Sequence, residues 1–354
     1  MLINKNFWRG RRVFLTGHTG FKGAWLSLLL TRLGAEIHGF ALPPEHPNGI
    51  FQVADVAADV HHQLGDVRDL VAIQSAIIDA HPEILIHMAA QPLVRYAYSN
   101  PIETFTTNVM GTVNVLEAVR HAKGVNAVLV VSSDKCYEKL PSRGGYSETD
   151  QLGGSDPYSS SKACVELVTA AYRRSFLSPG RHCHVASARA GNVIGGGDWS
   201  ADRLVPDAIR AFLAGTALRI RNPSSVRPWQ HVLNPLEGYL LLIERLAVDG
   251  EGFAEAWNFG PPAAREVPVS QIADELVSLW GREARWTTDG SQHPEELVLL
   301  SLDSAKAQAR LGWHPAIDLN AGLQLTVNWY RAYRDGADMR KFTLGQVDEF
   351  IEGQ

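Results

Sequence analysis

Tyr158 and Lys162, in Tyr158-Ser159-Ser160-Ser161-Lys162, stand four positions apart, so a helix following Pro157 puts both on one face. A phenol is a poor base at neutral pH, its reference pKa being about 10, but a neighbouring ammonium favours the phenolate. Such a pair can remove a hydroxyl proton while hydride leaves the same carbon. Alone, the spacing describes an ordinary solvated helix face. It acquires chemical meaning when the same domain carries a site for a hydride acceptor.

That site is written near the start of the chain. Directly after a short apolar run comes Thr16-Gly17-His18-Thr19-Gly20-Phe21-Lys22-Gly23, and then an apolar helix. Glycines at Gly17, Gly20 and Gly23 let a strand-to-helix turn approach a diphosphate, whose charge the helix N-terminus favours. A phosphate-binding loop of the Walker type is excluded, because no Gly-Lys-Ser/Thr ending follows. The acidic residue that usually holds the adenosine ribose about 20 residues onward is missing from Gly39-Phe40-Ala41-Leu42-Pro43. Glu45 is the nearest carboxylate and lies in a loop, so this position does not select NAD over its phosphate. Asp66, in Gly65-Asp66-Val67, suits either the adenine amino group or a helix N-cap at the Asp66 to Asp69 turn.

The elements that must position these residues alternate. Strands are expected at Val13–Thr16, Glu36–Phe40, His61–Leu64, Ile84–Met88, Val125–Val131 and His184–Ala188, with helices at Phe21–Leu33, Asp69–Ala80, Ile102–Ala122 and after Pro157. Apolar strands separated by helices imply a parallel sheet covered on both faces, a doubly wound α/β Rossmann domain. Past Ala190 the rhythm changes to Gly- and Pro-bearing loops between helices expected at Leu204–Ala214, Pro235–Ala247 and Val269–Trp280. The division expected is a cofactor domain over 1–190 and a smaller, loop-rich α/β domain over 191–354, with segments near 232–260 free to rejoin the first sheet.

Composition removes several alternatives. The 354 residues are 45% hydrophobic and 20% charged, which fits a folded globular chain rather than a disordered one. With 33 basic against 38 acidic residues the net charge is −5, so no basic face points to nucleic acid. Cys136, Cys164 and Cys183 have neither the number nor the spacing of a disulfide framework or a zinc site. In His182-Cys183-His184 strand alternation puts both histidines on one face, yet no further ligand cluster follows, and no metal is expected. The nine tryptophans are read as core and interface packing. The N-terminus enters charged residues at once, and the apolar stretch from Trp25 to Leu30, bracketed by Lys22, Arg32 and Glu36, is far below the ~18 residues of a membrane span. A cytoplasmic protein without a membrane partner is expected.

A glycine turn followed by Tyr-x-x-x-Lys, with Ser133 after a strand and His87-Met88-Ala89-Ala90-Gln91 at another strand end, resembles the extended short-chain dehydrogenase/reductase superfamily. Longer strings narrow the resemblance: Met88 to Arg95, Ser133-Asp134-Lys135-Cys136-Tyr137, Arg189 to Trp199, and Arg227-Pro228-Trp229-Gln230-His231-Val232. Together, over nearly the whole chain, these are similar to the nucleotide-sugar 4,6-dehydratases that act on CDP-glucose. The resemblance implies one tightly bound NAD and a redox-neutral sequence. Hydride leaves C4 of the glucosyl unit, water is lost across C5 and C6, and the hydride returns to C6. It also implies a homodimer or homotetramer.

By the same resemblance the cofactor contacts are Gly17, Thr19, Gly20, Phe21, Gly23, Asp66, Val67, Ala89, Ala90, Gln91, Tyr158 and Lys162. Tyr158 is the base at O4, Lys162 holds the nicotinamide ribose, Ser133 hydrogen-bonds O4 and Asp134 protonates the leaving C6 hydroxyl. Lys135 stands where related dehydratases carry Glu, so it is either a neutralised base at C5 or a cation stabilising the enolate. Asn192, Arg203, Arg227, Trp229 and His293 are the substrate candidates, the arginines for the planar fork of donors they offer a diphosphate. A nucleotide-sugar 4-epimerase shares the turn, Ser133, Tyr158 and Lys162 but needs no Asp134-Lys135 pair. A non-catalytic Rossmann binding module needs neither Tyr158 nor Lys162.

Overall fold

The computed structural model describes residues 3–138, 145–177, 183–261, 267–281, 284–289 and 301–353. Seven parallel strands form its main sheet: β1 (Arg12–Thr16), β2 (Glu36–Ala41), β3 (His61–Leu64), β4 (Ile84–His87), β5 (Ala127–Val131), β6 (His184–Ala190) and β7 (Ala256–Phe259). Their order is β7-β6-β5-β4-β1-β2-β3, so the chain reverses direction across the sheet between β1 and β4. In doubly wound sheets the ligand crevice opens at that reversal, beyond the carboxyl ends of the strands.

The apolar strands carry side chains to two cores at once. Val13, Leu15, Ile84, Ile86 and Leu129 face one core, and Phe14, Leu85, Val128 and Val130 face the other. The first core is closed by α1 (Phe21–Leu33), α5 (Leu204–Leu213) and α6 (Leu233–Asp249); the second by α2 (Leu70–Ala80), α3 (Gly111–His121) and α4 (Pro157–Ser175). This is the doubly wound α/β architecture expected from the strand pattern.

Three local features place the site. Gly20 begins α1 in an extended conformation without a side-chain cap, leaving the first-turn amides available. Asp156 caps α4 through Ser159 N at 2.9 Å, with Pro157 in the first turn, so Tyr158 enters the helix at a fixed point. The helix expected over Ile102–Ala122 instead runs as Pro101–Phe105, a π-helical turn at Thr106–Met110, and α3. The wider turn coincides with buried Asn108, a bridge in the site described below.

The second half contributes β7, which pairs in parallel with β6. Its other strands form two-residue and three-residue ladders: Val193–Ile194 with Gln230–His231, Val226–Arg227 with Val267–Pro268, and Leu218–Ile220 with Trp286–Thr288. The terminal helices Leu319–Arg334 and Met339–Glu352 return Trp329, Tyr330 and Val347 to the core that contains Trp25. All nine tryptophans lie in that core or against it. Cys136, Cys164 and Cys183 form no disulfide with one another, and no described helix is long and apolar enough to cross a membrane.

Candidate active site

The glycine turn is built by close approach. Gly17 has φ +78, and a Cβ there would stand 2.7 Å from Ala89 N; one on Gly23 would stand 2.1 Å from Gly17 O. Gly20 differs, because a Cβ on it would meet only Gly17 O at 3.4 Å, so that face of the turn is open. An open face beside uncapped amides fits a dinucleotide diphosphate. Thr19 donates to Leu42 O at 2.9 Å, and the Phe21 ring lies against Gly195, coupling the turn to the loop after β6. His18 is buried against His62, at 2.6 Å, and burial followed by the His62 charge lowers it to about 4.

At the end of β4, Thr16 Oγ1 accepts from Met88 N and Ala89 N and pairs with His87 Nδ1 at 2.7 Å. Burial, then the Lys162 charge, lowers His87 to about 3 and keeps it neutral. Ala89 and Ala90 line the strand end, half-buried. The side chain of Gln91, expected at the cofactor, donates through Nε2 to Thr104 at 2.8 Å and accepts through Oε1 from Leu93 N. Its backbone is held by Asn108, whose Nδ2 also reaches Ser161 at 2.8 Å. Asn108 thus ties the strand end to the helix carrying Tyr158 and Lys162.

Asp66 is occupied as well. Arg68 donates to both its oxygens, and that hydrogen bond, against burial, lowers its pKa. The cap of α2 is Asp69, which accepts from Ala72 N, so the capping role considered for Asp66 falls to Asp69. Val67 is a core side chain pressed against Gly111.

Beyond β5, Ser133 caps a short turn over Asp134–Cys136. Its Oγ donates to Asp134 Oδ1 at 3.0 Å, accepts from Lys135 N at 3.2 Å and engages the Tyr158 phenol. Asp134 is 3% exposed, and its Oδ2 has no hydrogen-bond partner among the described residues and lies against Gly191. Burial raises its pKa despite the pull of Lys135, Ser133 and Arg227, which favours the neutral acid. Lys135 is half-buried.

Tyr158 and Lys162 are both buried. Desolvation pushes the phenol to about 12; the Ser133 hydrogen bond and, more weakly, Arg203 oppose it. The spacing argument gave that opposing role to Lys162, but here Lys162 is itself lowered to about 8 by burial, and its leading attraction is to Glu166. A desolvated ammonium facing a carboxylate one turn along its own helix has less field left for the phenol.

Of the residues from the second half, Arg203 is half-buried and pairs with Asp198 at 3.5 Å, while buried Arg227 donates to Val226 O and acts electrostatically on Asp134. Asn192 is half-buried and accepts from Gln230 N through its carbonyl. Trp229, expected at the substrate, packs in the core at 8% exposure, its large ring held by apolar contact. His293 and His182 lie outside the described residues.

Two groups escaped the sequence reading. Arg189 and Glu166 form a buried pair at 2.9 Å; Arg189 donates to Tyr137 OH at 2.6 Å, and Tyr137 donates to Asn258. This chain anchors the turn that carries Asp134. Lys22, inside the glycine turn, donates to Tyr239 OH at 2.9 Å. A third cluster, Glu36, His38 and His61, has metal-ligand spacing among the described residues, but the two imidazoles stack at 4.5 Å and 19°. Both rings reach one oxygen of Glu36, His38 Nε2 at 2.9 Å and His61 Nε2 at 3.6 Å.

A strand-order reversal, an uncapped glycine turn and a buried Ser133–Tyr158–Lys162 set define an NAD-dependent enzyme of the extended short-chain dehydrogenase/reductase superfamily. The family model described as GDP-mannose 4,6 dehydratase matches residues 14–326. The chain belongs to this family of nucleotide-sugar 4,6-dehydratases. It is 47% identical to the CDP-glucose 4,6-dehydratase of Salmonella typhimurium, over 99% of both chains. Its fold is similar to the crystal structure of a dTDP-glucose 4,6-dehydratase from Streptomyces venezuelae with NAD bound, at TM-score 0.76 and 25% identity, covering 93% of this chain and 99% of that one. A UDP-glucose 4-epimerase from Thermotoga maritima shares the fold at TM-score 0.78 and 22% identity, covering 91% of this chain and 99% of that one.

Proposed function

We propose that this chain is a CDP-glucose 4,6-dehydratase, a hydro-lyase converting CDP-D-glucose to CDP-4-keto-6-deoxy-D-glucose. The end-to-end relative supports the nucleotide. The observation that carries the chemistry is Asp134, a buried carboxyl beside Ser133 and Tyr158 that favours its neutral form. An epimerase, which works at C4 alone, has no use for such an acid.

NAD at the glycine turn supplies the hydride acceptor for C4 and the donor for C6. Ser133 Oγ holds O4 of the hexose, Tyr158 Oη takes its proton, and Lys162 Nζ holds the ribose hydroxyls beside it. The C4 ketone acidifies the C5 proton. Lys135 Nζ removes that proton while Asp134 gives its own to the departing C6 hydroxyl, so water leaves with the proton balance closed. Arg203 and Arg227 clamp the sugar-nucleotide diphosphate, with Asn192 at the sugar. Residues 1–190, rejoined by 232–260, serve the cofactor, and the rest of 191–354 mainly serves the substrate. The chain works in the cytoplasm as a homodimer or homotetramer; exposed Ile102, Phe105, Met110 and Leu167 on neighbouring helices support self-association there.

The test uses CDP-glucose deuterated at C4, incubated with the NAD-loaded protein. Deuterium at C6 of a 4-keto product is expected. An unchanged 6-hydroxymethyl group or absence of turnover refutes the proposal, and return of deuterium to C4 with inversion selects the epimerase. Tyr158→Phe should block the first oxidation, while Lys135→Met should allow it and slow elimination. Normal turnover by Lys135→Met removes Lys135 from the C5 step.

A further inference from the structure

Lys22 is delivered by the first turn of α1, two residues past Gly20, and its side chain runs inward rather than to solvent. Its Nζ donates to the hydroxyl of Tyr239, on α6, and sits 5.0 Å from the centre of that ring. Tyr239 is fully buried, and burial holds its hydroxyl well above the ordinary phenol range, so it offers a neutral oxygen and no counter-charge. The charges facing Lys22 come from three other elements. Lys162 on α4 and Arg203 ahead of the helix Leu204–Leu213 repel it, and Asp134 after β5 attracts it, the weakest of these influences. Desolvation dominates and, with the two cations, lowers Lys22 to about 7. Among the described residues its hydrogen-bond partner is the neutral Tyr239 hydroxyl, and the attraction of Asp134 is outweighed by the two cations. The uncapped turn from which it springs is shaped to receive one.

We propose that Lys22 is a cofactor-binding cation of the glycine turn, and that it takes up a proton when the diphosphate of a dinucleotide binds there. The inference rests on that turn being the cofactor site. A diphosphate supplies the missing counter-charge and stabilises the charged amine, so binding and protonation are linked. With one linked proton, uptake should rise from about 0.1 proton at pH 6 to about 0.9 at pH 8, and affinity should fall toward tenfold per pH unit above about pH 7.

The experiment is isothermal titration of the full chain, stripped of cofactor, with NAD, at pH 6, 7 and 8 in two buffers of different ionisation heat. ADP-ribose, which keeps the diphosphate without the pyridinium, and CDP, the other diphosphate source, are titrated in parallel. NAD and ADP-ribose should both show the rising uptake. Lys22→Met should abolish it and flatten the pH dependence. Lys22→Arg, which stays charged, should bind without uptake and without losing affinity between pH 7 and 8. Binding of NAD at pH 8 with no uptake overturns the proposal, as does undiminished uptake in Lys22→Met. Uptake with CDP but not with NAD or ADP-ribose reassigns Lys22 to the substrate diphosphate and overturns it too. Failure of the wild-type chain to bind NAD at any pH refutes the cofactor-site reading itself. Should Lys22→Met not fold, the wild-type and Lys22→Arg titrations decide.

Discussion

Removing the charge of Glu166 should cost more stability than removing both members of its pair. Glu166 and Arg189 are 2% and 3% exposed in their side chains and meet at 2.9 Å, with Ser187 Oγ also donating to Glu166 at 2.7 Å. Burial alone would raise the Glu166 pKa, but the Arg189 charge and the hydrogen bonds from Arg189 and Ser187 outweigh it and lower it. Glu166→Gln leaves a guanidinium uncompensated in the core, a loss of about 3–5 kcal/mol. Against a usual total of about 5–15 kcal/mol, that is a large share. Glu166→Met with Arg189→Met removes both charges and leaves the Ser187 and Tyr137 hydroxyls short of partners, about 1–3 kcal/mol, while Lys162 loses its leading attraction and sheds its proton more readily. Urea denaturation of the two single variants and the double variant, all NAD-loaded, should therefore show the double as more stable than either single. Its dehydratase turnover should stay low, because Tyr137 loses the anchor that steadies the Asp134 turn. A double variant as unstable as the sum of the singles, or Glu166→Gln within about 1 kcal/mol of wild type, refutes the reasoning.

Two further outcomes are expected. Gly23→Ala drives a Cβ to 2.1 Å from Gly17 O, so it should destabilise by about 1–3 kcal/mol or more and lose NAD. Gly20→Ala, whose Cβ meets only Gly17 O at 3.4 Å, should unfold within about 1 kcal/mol of wild type yet still lose NAD affinity; urea melts and NAD titrations separate the two effects. His87 and His231, both lowered to about 3 by burial, bind fewer protons folded than unfolded between about pH 3 and their unfolded value near 6.5. Stability should thus rise with pH across that window, each histidine contributing up to about 1.4 kcal/mol per pH unit. His87→Asn should lower the slope measured between pH 5 and 6 by one proton, and an unchanged slope would contradict a neutral buried His87.

What was legible in the sequence was whatever depends on neighbours along the chain. The glycine turn, α1 and the Tyr158-Lys162 face are local, and strand alternation gave six of the seven main-sheet strands near their observed limits. The seventh, Ala256–Phe259, is four residues in a loop-rich region, and only its pairing with β6 marks it as sheet. The site residues that were missed depend on partners far away in sequence. Arg189 reaches Tyr137 across 52 residues, and Lys22 reaches Tyr239 across 217. A lysine between glycines reads as solvated until the fold brings α6 over it. A local argument is also reversed by a further local neighbour: Tyr158 and Lys162 share a helix face as the spacing requires, yet Glu166, one turn on along the same helix, attracts the ammonium first. Spacing can therefore nominate an acid/base pair, but the charge each member carries is decided by further groups: Glu166 on the same helix for Lys162, and Ser133, Asp134 and Arg203 from other elements for Tyr158. This makes Lys22 and Glu166 sharper probes of the site than further substitutions within the Tyr-Lys motif. Changing Glu166 to Gln removes the leading attraction that keeps Lys162 protonated. It should lower Lys162 further below about 8 and move the alkaline limb of C4 oxidation, followed at saturating NAD, to lower pH while Tyr158 and Lys162 stay intact.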